Sequence, residues 1–188
     1  MKTVYIHIHI PKNAGTTFDA TLERIFGEGM VRTPNLEPGT ILTEEEKLGI
    51  LEENPNARLI TGHTFRYPAP PIEEYEFRYL TFLRRPEHRL RSLYKQERRS
   101  YPHNPVCQLP FDQWLEARRR EDNGVTNYQA FHLQGVRSPE ETSLDGARKI
   151  LDRLYFLGLA ERFDESLMIL RRKMGLRFWT CRYIRRNV

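Results

Sequence analysis

Cysteine is scarce in this chain: 188 residues carry two, Cys107 and Cys181. They lie far apart and make no CxxC or metal-type pair, which excludes a disulfide-stapled secreted scaffold and a zinc site built on paired thiolates. An apolar run long enough to cross a bilayer is also missing, and Met1-Lys2-Thr3 leads straight into a strand-like segment with no signal-peptide core. The expectation is a cytoplasmic protein with reduced thiols and no membrane partner. No internal repeat, low-complexity tract or linker interrupts the chain, so residues 1–188 read as a single domain.

What the chain has in supply is positive charge. The formal net charge is +5, within an otherwise ordinary globular composition of 39% hydrophobic and 29% charged residues. Residues 84–99 hold Arg84, Arg85, Arg89, Arg91, Lys95, Arg98 and Arg99 against only Glu87 and Glu97. Such an excess favours an anionic partner: nucleic acid, a membrane surface, or a small phosphorylated or sulfated ligand. Charge alone does not choose among these.

Periodicity supplies the architecture. Val4, Ile6, Ile8 and Ile10 alternate with Tyr5, His7 and His9, the two-residue period of a strand, which Pro11 ends. A small-residue turn follows, then Phe18, Leu22, Ile25 and Phe26 at helical spacing. Residues 27–40, rich in Gly and Pro, read as loop. Thr43 with Glu46 forms a capping box that opens a short helix. Residues 58–61 and 79–83 read as strands, 86–94 and 111–120 as helices, 143–154 as helix, 155–158 as strand and 162–174 as an amphipathic helix. This alternation predicts an α/β fold, with a P-loop-like central parallel sheet flanked by helices on both faces.

Two segments carry chemistry. In the first, Pro11-Lys12-Asn13-Ala14-Gly15-Thr16-Thr17 joins a strand to a helix, where unpaired N–H groups and the positive end of the helix dipole favour an anion. Thr16 and Thr17 add hydroxyl donors, Gly15 permits close approach, and Lys12 adds a mobile charge. This is not a Walker A loop, in which the lysine follows the second glycine; here it precedes the glycine. A lysine on the strand side can reach a bridging oxygen of a donor, where charge builds as a leaving group departs.

The second segment, residues 81–94, is again a strand-to-helix junction, about seventy residues on in the chain. Residues 10–17 resemble the 5′-phosphosulfate loop of the sulfotransferases, in particular the branch that includes the carbohydrate (heparan- and chondroitin-type) enzymes. Residues 81–94 are similar to the same family's 3′-phosphate motif. The resemblance, which covers residues 3–176, implies 3′-phosphoadenosine 5′-phosphosulfate (PAPS) as donor, 3′-phosphoadenosine 5′-phosphate (PAP) as product and no metal. It assigns Lys12, Asn13, Ala14, Gly15, Thr16 and Thr17 to the 5′-phosphosulfate, and Arg84 and Ser92 to the 3′-phosphate. Arg85 stands where the family usually has Asp, which bears on how Arg84 and Arg89 are held. Arg91, Lys95, Arg98 and Arg99 are read as a solvated helix face.

His63, in Thr61-Gly62-His63, resembles the branch's Gly-His element and is the expected general base, since a histidine near neutrality suits removal of a hydroxyl proton. His7 and His9 read as sheet-face residues, and Glu73, Glu74 and Glu76 are rival bases read as an exposed loop. Asn127-Tyr128-Gln129 resembles a substrate element of the branch, with Ala130 and Phe131 in place of Thr and Arg. Members of the branch usually continue past residue 176, so the expectation is a minimal member or a shortened C-terminus. The acceptor, favoured as a saccharide, stays open, and nucleic acid is not expected as partner. Two other readings compete: a P-loop-like kinase or nucleotide hydrolase, and a non-catalytic basic module that binds polyanions.

Overall fold

The computed structural model describes residues 1–34, 40–121, 125–136 and 141–177. Cys181 and the basic residues Arg182, Arg185 and Arg186 lie outside them. Five strands, β1 (Lys2–Ile8), β2 (Met30–Arg32), β3 (Leu59–Gly62), β4 (Tyr75–Leu83) and β5 (Phe156–Leu159), form one parallel sheet in the order β2-β3-β1-β4-β5. The connecting helices are α1 (Gly15–Phe26), α2 (Glu44–Glu53), α3 (Pro86–Ser100), α4 (Pro105–Gln108), α5 (Phe111–Arg120), α6 (Tyr128–Gln134), α7 (Leu144–Leu151) and α8 (Phe163–Lys173). None of the described helices is long and apolar enough to cross a membrane.

Both faces of β1 are covered, as a central parallel strand requires. Val4, Ile6 and Ile8 pack with Leu51 of α2 and Leu133 of α6. On the other face, Phe18 and Leu22 of α1 join Leu80, Phe82, Phe156 and, from α8, Leu167 and Leu170. The alternation of β1 therefore does not mark one wet face. His7, on the α1 side, is 1% exposed, and its polarity is satisfied inside the protein.

The Thr43 capping box is present: Thr43 Oγ1 accepts from the Glu46 N–H at 3.2 Å, and Glu46 Oε2 accepts from the Thr43 N–H at 2.7 Å. Three expectations need correction. Strand β2 lies inside the stretch read as loop; its three residues pair with β3. Strand β4 begins at Tyr75, so Glu76 belongs to a strand, ion-paired with Arg78. Helix α3 continues to Ser100, and Trp114 of α5 anchors its far end by donating to Glu97 Oε2 at 2.9 Å, where Arg118 also binds at 2.8 Å.

The connection from β1 leads toward β2, whereas that from β4 leads toward β5 on the other side. The carboxyl ends of β1 and β4 thus flank a switch point, the place where open α/β sheets bind ligands. The loop of Lys12 leaves one of these ends and the segment of Arg84 leaves the other.

Candidate functional site

The loop after β1 is backbone-strained and firmly tied. Lys12 (φ 70°) and Ala14 (φ 64°) are both left-handed although neither is glycine, a conformation costing about 1–3 kcal/mol each that persists only where surroundings impose it. The ties run to β4 and α3. Pro11 O accepts from Arg89 Nε at 3.2 Å, Lys12 O accepts from Arg84 Nη1 at 3.0 Å, and Asn13 Nδ2 donates to Phe82 O at 2.8 Å and to Gln129 Oε1 at 2.7 Å. Gln129 closes the frame, its Oε1 accepting the Arg84 N–H at 2.9 Å and its Nε2 donating to Arg84 O at 2.8 Å.

The two sequence motifs are thus one mechanical unit. The Asn13 side chain, 1% exposed, is turned inward as part of this frame. Gln129, expected from the resemblance among substrate-side residues, instead clamps Asn13 to Arg84.

Ala14 caps α1 without a side chain able to accept its first N–H groups, and the first turn contains no acid. Left-handed residues flank Asn13, whose N–H donates to Ile10 O at 3.3 Å, and α1 presents its positive dipole end at the end of the loop. Thr16 is exposed at this end and Thr17 buried. Gly15 has a further reason to be glycine: a Cβ there would lie 2.1 Å from His9 Nε2. The His9 ring is packed under the loop.

Lys12, Arg84 and Ser92 line one cavity of about 640 Å³ together with His88, Arg91, Lys95, Arg98 and Arg99. Burial, then Arg99, Arg84 and Arg89, lowers the Lys12 pKa. Arg91, Lys95, Arg98 and Arg99 are exposed as expected, but they form the cavity wall rather than a face remote from it. A second cavity, of about 590 Å³, lies between α3, α5 and the start of α6, and includes Asp112 and Glu116. The first is the one suited to a multiply charged anion.

Arg85 precedes α3 and gives it no side-chain cap of its own. Glu161, which follows β5, supplies a carboxylate there: its Oε1 accepts from the Arg85 N–H at 3.0 Å and lies 2.9 Å from His88 Nδ1.

His63 sits at the carboxyl end of β3, beside His9, on the other flank of the loop from the cavity. Its Nδ1 is 2.7 Å from His9 O; a carbonyl can only accept, so Nδ1 carries the proton and Nε2 keeps its lone pair. Burial first, then His9, lowers the His63 pKa, which favours the neutral ring a base needs. The rival carboxylates fail on position. In register, Thr3 pairs with Glu76, which puts residues 73–76 at the amino end of the sheet, opposite the loop.

Sequence reading missed Asp19, on α1. It accepts from His7 Nδ1 at 2.8 Å and Thr61 Oγ1 at 2.7 Å, meets His9 Nδ1 at 3.1 Å, and has Arg32 at 3.3 Å. Burial alone would raise its pKa, but the bonds from His7 and His9 outweigh that and hold it far below the carboxylate range. His7, His9 and Asp19 have the composition of a metal site. Yet they already satisfy one another, and Arg32 opposes a cation, so their evident work is to fix the His9 ring beneath Gly15.

No protein-family model matches the chain. It is 27% identical over 179 residues to an uncharacterized protein of Archaeoglobus fulgidus, an alignment spanning 88% of this chain and 71% of that one. That relative shares a sequence and contributes no activity, so the functional reading rests on the site.

Proposed function

We propose that the chain is a sulfotransferase that moves a sulfuryl group from PAPS to a hydroxyl or amine acceptor, with a saccharide favoured. The observation that carries this reading is the single cavity lined by Lys12, Arg84 and Ser92. A nucleotide with phosphates at both its 5′ and 3′ positions needs two anion sites, and in support of that reading the cationic residues of this cavity come from two strand ends joined by the Asn13–Gln129–Arg84 frame. In the reaction the acceptor oxygen forms a bond to sulfur while the bond from sulfur to the bridging phosphate oxygen breaks in line, its electron pair leaving with PAP. Lys12 and the loop N–H groups stabilise that departing charge. His63 Nε2 takes the acceptor proton.

Binding is the test. Ser92→Ala should weaken PAP about tenfold while leaving AMP unchanged, since one charge-assisted hydrogen bond to the 3′-phosphate is lost. Equal weakening of both nucleotides would remove Ser92 from a 3′-phosphate site.

One observation favours a second reading, a polyanion-binding module: four further cations, Arg91, Lys95, Arg98 and Arg99, share the cavity. That reading predicts steeply salt-dependent binding that survives Lys12→Ala. The sulfotransferase reading predicts that Lys12→Ala abolishes turnover.

A further inference from the structure

Beneath α6, away from the Lys12 cavity, lies a group of buried cationic and imidazole side chains. Arg66, three residues past His63, is 2% exposed. Its Nε donates to His63 O at 3.2 Å and its guanidinium lies 4.8 Å from the centre of the Phe131 ring, but Nη1 is buried with no hydrogen-bond partner. Arg66 has no ion-paired carboxylate among the described residues. His132 is 1% exposed, and neither of its ring nitrogens has a partner. A neutral imidazole has one donor and one acceptor, so both are stranded.

Native interiors rarely leave three polar atoms unsatisfied in one region, and a buried guanidinium without a counter-charge is costlier still. Arg89, also buried, adds a second guanidinium, 4.0 Å from the centre of the Tyr128 ring. We infer that Arg66 and His132 form a binding site for an oxyanion, a sulfate, phosphate or carboxylate group. Such a group accepts from Arg66 Nη1 and from an N–H of His132, and it neutralises the buried charge. Water would satisfy the hydrogen bonds and leave the charge. A cationic or apolar ligand would satisfy neither. The Phe131 ring lies against the Arg66 guanidinium, the Tyr128 ring is 5.1 Å from the His132 ring, and the partly exposed His63 accepts from Arg66 through its backbone carbonyl. The inference stands independently of the sulfotransferase reading.

The test uses the full chain and inorganic sulfate, with chloride at matched ionic strength as the control. Nitrogen NMR of the imidazole and guanidinium groups follows the titration. Sulfate should shift His132 and Arg66 saturably, and equally so in Lys12→Ala. Arg66→Met should abolish the effect at His132; if that variant does not fold, Arg66→Lys, which keeps the charge and loses the fork, should weaken it about tenfold. Methyl glucuronide distinguishes the source of the anion. Competition with sulfate at His132 assigns the site to an anionic group on a saccharide-like ligand, and sulfate binding without competition assigns it to a free inorganic anion. His132 and Arg66 signals that respond to neither probe, or whose response disappears in Lys12→Ala, would overturn the inference.

Discussion

Replacing Gly15 by alanine puts a methyl group where the His9 ring lies. The added carbon would sit 2.1, 2.2 and 2.8 Å from three ring atoms, against an ordinary contact of about 3.5–4.0 Å. The ring cannot swing away freely, because Asp19 holds Nδ1 at 3.1 Å and the His63 ring lies tilted against it, 4.2 Å between centroids. Overpacking costs about 1–3 kcal/mol, the lost hydrogen bond to a charged partner about 1.5–3, and the better helix propensity of alanine returns about 1, so the net loss is about 3 kcal/mol. Urea unfolding followed by circular dichroism measures it. The decisive comparison is the His9→Ala background, where the ring is gone and Gly15→Ala should be neutral or stabilising by up to about 1 kcal/mol. An equal penalty in both backgrounds would refute the packing argument.

Other consequences follow from the same frame. Gln129→Ala removes three hydrogen bonds that join Asn13 to both backbone groups of Arg84; it should cost about 3 kcal/mol in unfolding experiments and weaken PAP along with stability. Glu161→Ala removes the acceptor of the Arg85 N–H and of the His88 ring and should cost about 1 kcal/mol, visible as faster exchange of the Arg85 amide. Stability should fall on acidification from pH 7 to 5. Burial lowers the folded-state pKa of His9, His63 and His132, so the unfolded chain binds more protons below about pH 6.5. The slope reaches at most about 1.4 kcal/mol per pH unit for each such histidine, and His132→Gln should flatten it; a slope unchanged by that substitution would contradict the assignment.

The strands and helices that carry strong periodicity were legible: the β1 alternation, the Thr43–Glu46 box and the Phe18, Leu22, Ile25 and Phe26 stripe all read correctly. Strand β2 was not, because three residues in a glycine- and proline-rich stretch display no period and owe their conformation to pairing with β3. Lys12, Arg84 and Ser92, which the structure brings to one cavity, lie in short motifs that stand out in the sequence. What binds them together was not legible. Gln129 is 116 residues from Asn13 and Glu161 is 76 from Arg85, so no local pattern announces either partner. Asp19 looks in sequence like a solvent-facing position on an amphipathic helix. It is buried because β1 is central and its second face turns His7 and His9 toward α1, where they need an acceptor. His9 did offer a signal: a histidine directly before a phosphate-type loop, followed ten residues later by an aspartate in the next helix.

The central claim is that one nucleotide with two separated phosphate positions spans Lys12 and Arg84. Calorimetric titration of the full chain with PAP and with AMP, in the same buffer, tests it most directly. The account predicts that PAP binds at least about tenfold more tightly than AMP and that Arg84→Ala erases the difference. Binding of PAP no tighter than AMP would contradict it.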